Sequence, residues 1–286
     1  MSESPHPRAD ELGRLTTREL LAVMQAEDRR AVEAVEGSLD QVARAVDAIA
    51  ERLRAGGCLH YFGAGTSGRL AALDAAECPA TFGLEPGAVT AHDAGDGEAE
   101  DDRRRGAKEA RQAGLRPSDA VVGVSAGGGT GYVLAALAEA RAAGCLVIGL
   151  SCSPGSPLGA AADLAIEIET GPEVIAGSTR LKAGTVQKVV LNMLSTGVFT
   201  RLGRTYRGRM VDVVAANEKL RGRATRIVAD LTGASVAAVE QALAEAGGSA
   251  KLAILMLRCG LAAGEARSRL FSAGGDLAIA LGEVAP

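Results

Sequence analysis

The chain has no tryptophan, and with three tyrosines and four phenylalanines its aromatic share is only 2% of 286 residues. That leaves no stacking platform for bases, and a formal net charge of -4 offers no basic field to a nucleic-acid backbone, so no nucleic acid is expected as a partner. Histidine is equally scarce. His6, His60 and His92 are too dispersed to define a metal site, and a lone histidine in a strand reads as structural. The five cysteines (Cys58, Cys78, Cys145, Cys152, Cys259) lack C-x-x-C spacing, and three lie in or beside apolar runs as reduced core thiols do. No apolar run approaches the length needed to span a bilayer, and Met1 to Glu11 is polar with two prolines. The expectation is a cytoplasmic protein with no membrane partner.

Small apolar residues and glycine are abundant. Hydrophobic residues make up 47% and glycines number 37, so the core is expected to be Ala, Val and Leu packed at close helix–sheet distances. The length suits one α/β domain with added helices, or two small domains.

The organising stretch is Gly63-Ala64-Gly65-Thr66-Ser67-Gly68-Arg69, which follows the apolar run Cys58 to Phe62 and opens a helical pattern over Leu70 to Ala75. It reads as strand, glycine turn, helix. Such a turn, with Gly65 at its centre, lets the backbone approach a ligand, and the free amides at the helix N-terminus with the Thr66 and Ser67 hydroxyls offer donors to a phosphate. The same letters satisfy G-x-G-x-x-G, with Asp93 as a candidate ribose contact, so a dinucleotide is the competing reading.

Before this loop, Leu15 to Arg54 carries helix-period apolar positions, with Thr16 or Thr17 as N-cap and Gly56-Gly57 as stop. Its charged run Glu27-Asp28-Arg29-Arg30 reads as a solvated face. After the loop, strands are expected at Ala88–His92, Ala120–Val124, Leu146–Leu150 and Leu164–Ile168, separated mostly by helices such as Tyr132–Ala143. This alternation implies an α/β fold whose mainly parallel sheet is flanked by helices, with ligands at the carboxyl ends of strands. The third strand ends in Ser125-Ala126-Gly127-Gly128-Gly129-Thr130, a second cradle in which Ser125 and Thr130 are the candidate contacts. Two such loops favour a small phosphorylated or polyhydroxylated ligand. Helices are expected at Ala183–Leu202 and Met210–Leu220, with Arg180 and Lys182 as complements to a phosphate, and the rest reads as short helices at Ser235–Ala246, Ser249–Arg258 and Ala263–Phe271.

The run from Tyr61 through Gly63-Ala64-Gly65-Thr66-Ser67-Gly68-Arg69 to Glu77-Cys78-Pro79-Ala80-Thr81-Phe82-Gly83 strongly resembles the N-acetylmuramic acid 6-phosphate etherases, which belong to the sugar isomerase (SIS) domain proteins. Further matches are Gly177 to Thr185, Gln187-Lys188, Leu191-Asn192, Ser195-Thr196-Gly197, Met210 to Ala215 and Asn217 to Leu220. The resemblance implies an SIS domain over 56–222, behind an N-terminal helical arm (1–55) and before a small C-terminal helical module (223–286). It also implies cleavage of the lactyl ether without a cofactor, in a homodimer whose site lies near the subunit interface. The two carboxyl groups this chemistry needs would be Glu77, as the acid assisting lactate departure, and Glu100, as the base at C2; the roles are open to exchange. A sugar-phosphate-binding regulator and an SIS phosphosugar isomerase are the alternatives within the same domain class.

Three departures from the family pattern stand out. The segment before Glu100 is short, only Asp93 to Ala99. Gly127, Gly129 and Gly131 occupy places where the family commonly has Ser, Arg and Pro. Arg207-Gly208-Arg209 replaces a polar stretch, with no consequence assigned from sequence.

Overall fold

The computed structural model describes residues 4–212 and 218–283. The arm opens with α1 (Thr17–Glu33), capped by Thr16: its hydroxyl accepts the Glu19 amide while the Glu19 carboxylate accepts the Thr16 amide at 2.8 Å. A 3-10 turn, Ala34–Ser38, separates it from α2 (Leu39–Arg54), so the arm is two helices. Val23, Glu27 and Ala31, spaced four apart, form the buried stripe of α1. Glu27 therefore departs from the solvated face expected for its run.

Next come β1 (Leu59–Gly63), α3 (Gly65–Phe82), β2 (Val89–Asp93), α4 (Glu98–Asp101), α5 (Arg103–Gln112), β3 (Ala120–Ser125), α6 (Gly131–Ala142), β4 (Leu146–Ser151), α7 (Pro157–Ala161), β5 (Leu164–Glu167) and α8 (Lys182–Arg201). The five strands agree with the expected runs to within one residue at each end. They form one parallel sheet in the order β2-β1-β3-β4-β5. Both faces are covered, as parallel strands buried on two sides require. Phe62, Val121 and Val147 pack with Tyr132, Val133, Leu137 and Leu158 of α6 and α7. On the opposite face the Tyr61 hydroxyl donates to Asp74 of α3 (3.0 Å), and Ser195 of α8 donates to the same carboxylate (3.0 Å).

The strand order reverses direction between β1 and β3, which are direct neighbours with Gly63 opposite Val124. In open parallel sheets ligands bind outside the strand ends at such a switch point. Both glycine loops leave the sheet there.

The chain divides into two compact units, Met1–Ala76 with Gly87–Gly197, and Glu77–Pro86 with Val198–Pro286. The first holds the sheet. The second contains a hairpin of β6 (Thr205–Tyr206) and β7 (Arg209–Met210) and the helices α9 (Glu218–Thr232), α10 (Val236–Glu245), α11 (Ala250–Cys259), α12 (Ala263–Ser272) and α13 (Leu277–Ala280). Val228, Val239, Ile254 and Leu255 are its fully buried centre. Arg207 and Gly208, with φ of 48° and 71°, make the two-residue turn between the hairpin strands, the conformation that suits their twist. The expected helix over Met210–Leu220 is corrected accordingly: Met210 closes a strand, Val211 and Asp212 form a turn, and helix is described only from Glu218. Residues Val213 to Asn217 of that motif lie outside the described residues. Asp212 instead receives the buried Lys251 ammonium, which also donates to the Gly275 carbonyl at 2.6 Å. Among the described residues no single helix is long and apolar enough to cross a membrane.

Candidate active site

The first loop is tight because strand and helix meet with almost no space between them. A Cβ on Gly63 would stand 2.7 Å from the Gly68 Cα, and one on Gly68 would collide with Asp93 Oδ1. Gly65, with φ of +56°, starts α3, and its amide donates to the Gly95 carbonyl at 2.8 Å, so of the amides expected to be free for a phosphate this one is already engaged. Asp93 Oδ1 accepts the Gly95 amide at 2.9 Å, so the residue weighed as a ribose contact is engaged in shaping this turn. Arg69 forks onto both oxygens of Asp96 (2.9 and 2.8 Å) and reaches the Thr66 hydroxyl at 3.3 Å.

Glu100 arrives from the β2 side. Positive φ at Gly95 and Gly97 reverses the chain after β2, and the Glu100 amide bonds the Gly97 carbonyl at 2.9 Å. Its carboxylate then lies against the start of α3, where a Cβ on Gly65 would be 2.9 Å from Glu100 Oε1 and 3.3 Å from Asp96 Oδ1. The short segment thus delivers the carboxylate to the first loop. The next residue, Asp101, occupies room beside the second loop, because a Cβ on Gly131 would lie 2.9 Å from its carbonyl oxygen.

In the second loop the Ser125 and Thr130 hydroxyls are 2.7 Å apart, and the Gly128 amide donates to Ser125 Oγ at 3.0 Å. Positions 127 and 129 are open, with nothing within 4 Å of an added Cβ.

The start of α8 is more heavily built than its sequence suggests. The buried carboxylate of Glu173 accepts the backbone amides of Lys182 and Ala183, both at 3.0 Å, capping the helix. Lys182, 2% exposed, donates from Nζ to Glu27 at 2.8 Å, and Glu27 also pairs with Arg30 at 2.6 Å. Burial alone would raise the Glu27 carboxyl, but the Lys182 hydrogen bond and charge outweigh it and hold it below the usual range. Two residues after Lys182, Gly184 faces the loop, with the position of its would-be Cβ 3.5 Å from Thr66 Cγ2, and about a turn further Gln187 Oε1 accepts from Ser67 at 3.0 Å.

Beneath the first loop, His92 stacks on Phe62 (centroids 4.2 Å) and on His60 (5.8 Å). Burial first, and then the neighbouring His92 charge, push the His60 imidazole down to about 4, with Asp119 opposing.

The fold therefore brings Gly65, Thr66, Ser67 and Glu100 together, and Ser125 with Thr130 at the adjoining strand end. Lys182 faces Glu27. Glu77 is exposed on α3 and opens the second unit, where its carbonyl accepts the Thr81 hydroxyl at 2.8 Å. Sequence reading missed three partners: Asp96, Glu27 and Gln187. Glu27 left a signal in its i±4 spacing with Val23 and Ala31, and Gln187 stood among the family matches without a role.

Residues 25–152 match the SIS domain family. Among solved structures, E. coli CFT073 c3406 in complex with A5P aligns with a TM-score of 0.51 at 21% identity, over 68% of this chain and 97% of that one. A phosphoheptose isomerase from Francisella tularensis aligns with a TM-score of 0.52 at 17% identity, over 65% and 100%. With its parallel sheet and paired glycine loops at the switch point, the molecule is an SIS-domain protein. Its curated relatives are closer in sequence: proteins named N-acetylmuramic acid 6-phosphate etherase from Rubrobacter xylanophilus (50% identical, covering 99% of this chain and 96% of the relative) and Mycolicibacterium smegmatis (49%, 98% and 97%). A third, from Aeromonas hydrophila, is 46% identical over 96% of this chain. The chain belongs to the N-acetylmuramic acid 6-phosphate etherase family.

Proposed function

We propose that this chain cleaves the D-lactyl ether of N-acetylmuramic acid 6-phosphate, with water as second substrate, to give N-acetylglucosamine 6-phosphate and D-lactate in cell-wall amino-sugar recycling. The observation that carries this reading is the Glu100 carboxylate held against the donor-rich start of α3, in a chain half identical to etherases along nearly its whole length. Gly65, Thr66, Ser67, Ser125 and Thr130 bind the sugar phosphate. Lys182, expected as a complement to the phosphate, is left out of this set because its buried ammonium is taken up by Glu27.

The chemistry follows from the substrate. In the open-chain sugar the C1 aldehyde acidifies the C2 proton, and Glu100 removes it. The C3–O bond breaks, and the lactate oxygen leaves with a proton from Glu77. Water then adds across C2=C3, its hydroxyl to C3 and a proton to C2. The sequence is redox-neutral, so it consumes nothing but water. Each proton transfer by a positioned carboxyl contributes about 10²–10⁴-fold.

The same reading includes a cytoplasmic homodimer in which a second subunit completes the site. The exposed Leu73 and Met193 of α3 and α8 support a partner-facing surface. The division into an arm (1–55), an SIS domain (56–222) and a C-terminal module (223–286) is retained with it. Incubation with N-acetylmuramic acid 6-phosphate in D2O should release D-lactate and N-acetylglucosamine 6-phosphate in equal amounts, the latter carrying deuterium at C2. A folded protein that binds the sugar phosphate and releases no lactate would overturn the catalytic reading in favour of a binding protein.

A further inference from the structure

Ser67 and Gln187 form a pair whose hydrogen bonding is incomplete. Both are buried, at 7% and 1% exposure, and the Ser67 hydroxyl donates to Gln187 Oε1 at 3.0 Å. Gln187 Nε2, on the same amide, has no hydrogen-bond partner. A buried amide nitrogen without an acceptor is unfavourable, and buried polar groups are ordinarily paired. Here the unpaired donor sits beside the helix start whose free amides form an anion site.

The arrangement also occupies the group an anion would need. A serine hydroxyl carries one proton, and while that proton points at Gln187 it cannot be given to a phosphate oxygen. A half-turn of the Gln187 amide about its last torsion brings Nε2 onto Ser67 Oγ. The serine then accepts from the amide, and its own proton is free to turn toward the helix start. One motion pairs the nitrogen and releases the serine proton, while Oε1 takes the unpaired place that Nε2 leaves, so the turn is favoured only when an anion receives the freed proton.

We propose that Gln187 is the positioning residue for Ser67, its side-chain amide turning over from acceptor to donor when a phosphate group occupies the first loop. This rests on the phosphate reading of that loop.

The test compares Ser67→Ala, Gln187→Glu, Gln187→Met and the double variants Ser67→Ala/Gln187→Glu and Ser67→Ala/Gln187→Met. The readouts are the inhibition constant of inorganic phosphate and the separate kcat and KM for the sugar phosphate, with thermal unfolding as a folding check. Glutamate keeps the shape and the acceptor but has no N–H, so Gln187→Glu should raise both the phosphate inhibition constant and KM by about tenfold. Its kcat should stay within about twofold, because the lost donor acts through Ser67 on the phosphate and not on the reacting carbons. Methionine lacks donor and acceptor alike and should have a smaller effect, about threefold, since Ser67 keeps its proton for the anion. In the Ser67→Ala background Gln187→Glu should add less than about twofold, the signature of one route.

A phosphate inhibition constant unchanged in Gln187→Glu but raised in Ser67→Ala would overturn the inference and leave the loop reading intact. No effect from Ser67→Ala would overturn both. Should Gln187→Glu fail to fold, Gln187→Met carries the test: a raised inhibition constant that vanishes in the Ser67→Ala background supports the pairing, and an unchanged or additive one contradicts it.

Discussion

The two glycine loops stand at adjoining strand ends, yet their glycines are there for different reasons. In the first, Gly63, Gly65 and Gly68 each face an atom that a Cβ would strike: Gly68 itself, Glu100 and Asp93. In the second, only Gly128 is packed, its would-be Cβ colliding with Ser156, while Gly127 and Gly129 on either side of it face open space, and Ser125 bonds the Thr130 hydroxyl and the Gly128 amide. A glycine demanded by packing and a glycine that leaves room are the same letter in a sequence. Only the surroundings separate them.

The comparison breaks most directly at Gly63. An alanine there meets backbone 2.7 Å away, and overpacking of this kind should lower unfolding stability by about 3 kcal/mol. Alanine at Gly129, which has neither a close neighbour nor a positive φ, should change stability by less than about 1 kcal/mol and in the stabilising direction if at all. Denaturant unfolding of the two variants checks both; equal losses would erase the distinction.

Gly131 joins the loops. Its missing side chain makes room for the Asp101 carbonyl, and so seats the short segment that carries Glu100. Gly131→Ala should displace that segment by a fraction of an ångström to an ångström and reduce kcat by about ten- to a hundredfold, with KM less affected. A normal kcat would mean that Glu100 is held by something other than this contact.

The strands beneath the loops differ as well. β3 has no titratable side chain, whereas β1 carries His60, held neutral by burial. Below pH 6.5 the unfolded chain takes up this proton and the fold does not. Stability should therefore fall as pH drops from about 6.5 toward 4, with a slope approaching about 1.4 kcal/mol per pH unit, and flatten below the folded value. His92 is lowered in the same direction by burial. A His60→Phe variant should show a shallower loss between pH 6.5 and 4.5, and an unchanged pH profile would contradict the assignment.

Much of this was legible in the chain alone, for identifiable reasons. The five strands are short apolar runs bounded by glycine and polar residues, and the Thr16 to Glu19 capping box is a local pattern. Glu77 and Glu100 were marked by resemblance. What escaped depends on distant residues or on backbone. Strand order is set by which edges pair, so the adjacency of the two loops does not appear in either one. Glu27 was read with its charged neighbours when its partners are Val23 and Ala31, four residues either way, and Lys182, 155 residues on. The Arg207-Gly208 turn was hidden because arginine seldom adopts positive φ. Gln187 is marked by the resemblance, but its partner Ser67 lies 120 residues away and leaves no trace in the helix pattern.

The most direct test of the account is D-lactate release from N-acetylmuramic acid 6-phosphate by the parent protein and by Glu100→Gln, with phosphate inhibition measured on both. The geometry predicts that release falls by about a hundredfold or more in the variant while inorganic phosphate binds as before. Release at the parental rate from Glu100→Gln would contradict it, because the carboxylate brought against the first loop would then have no part in the reaction.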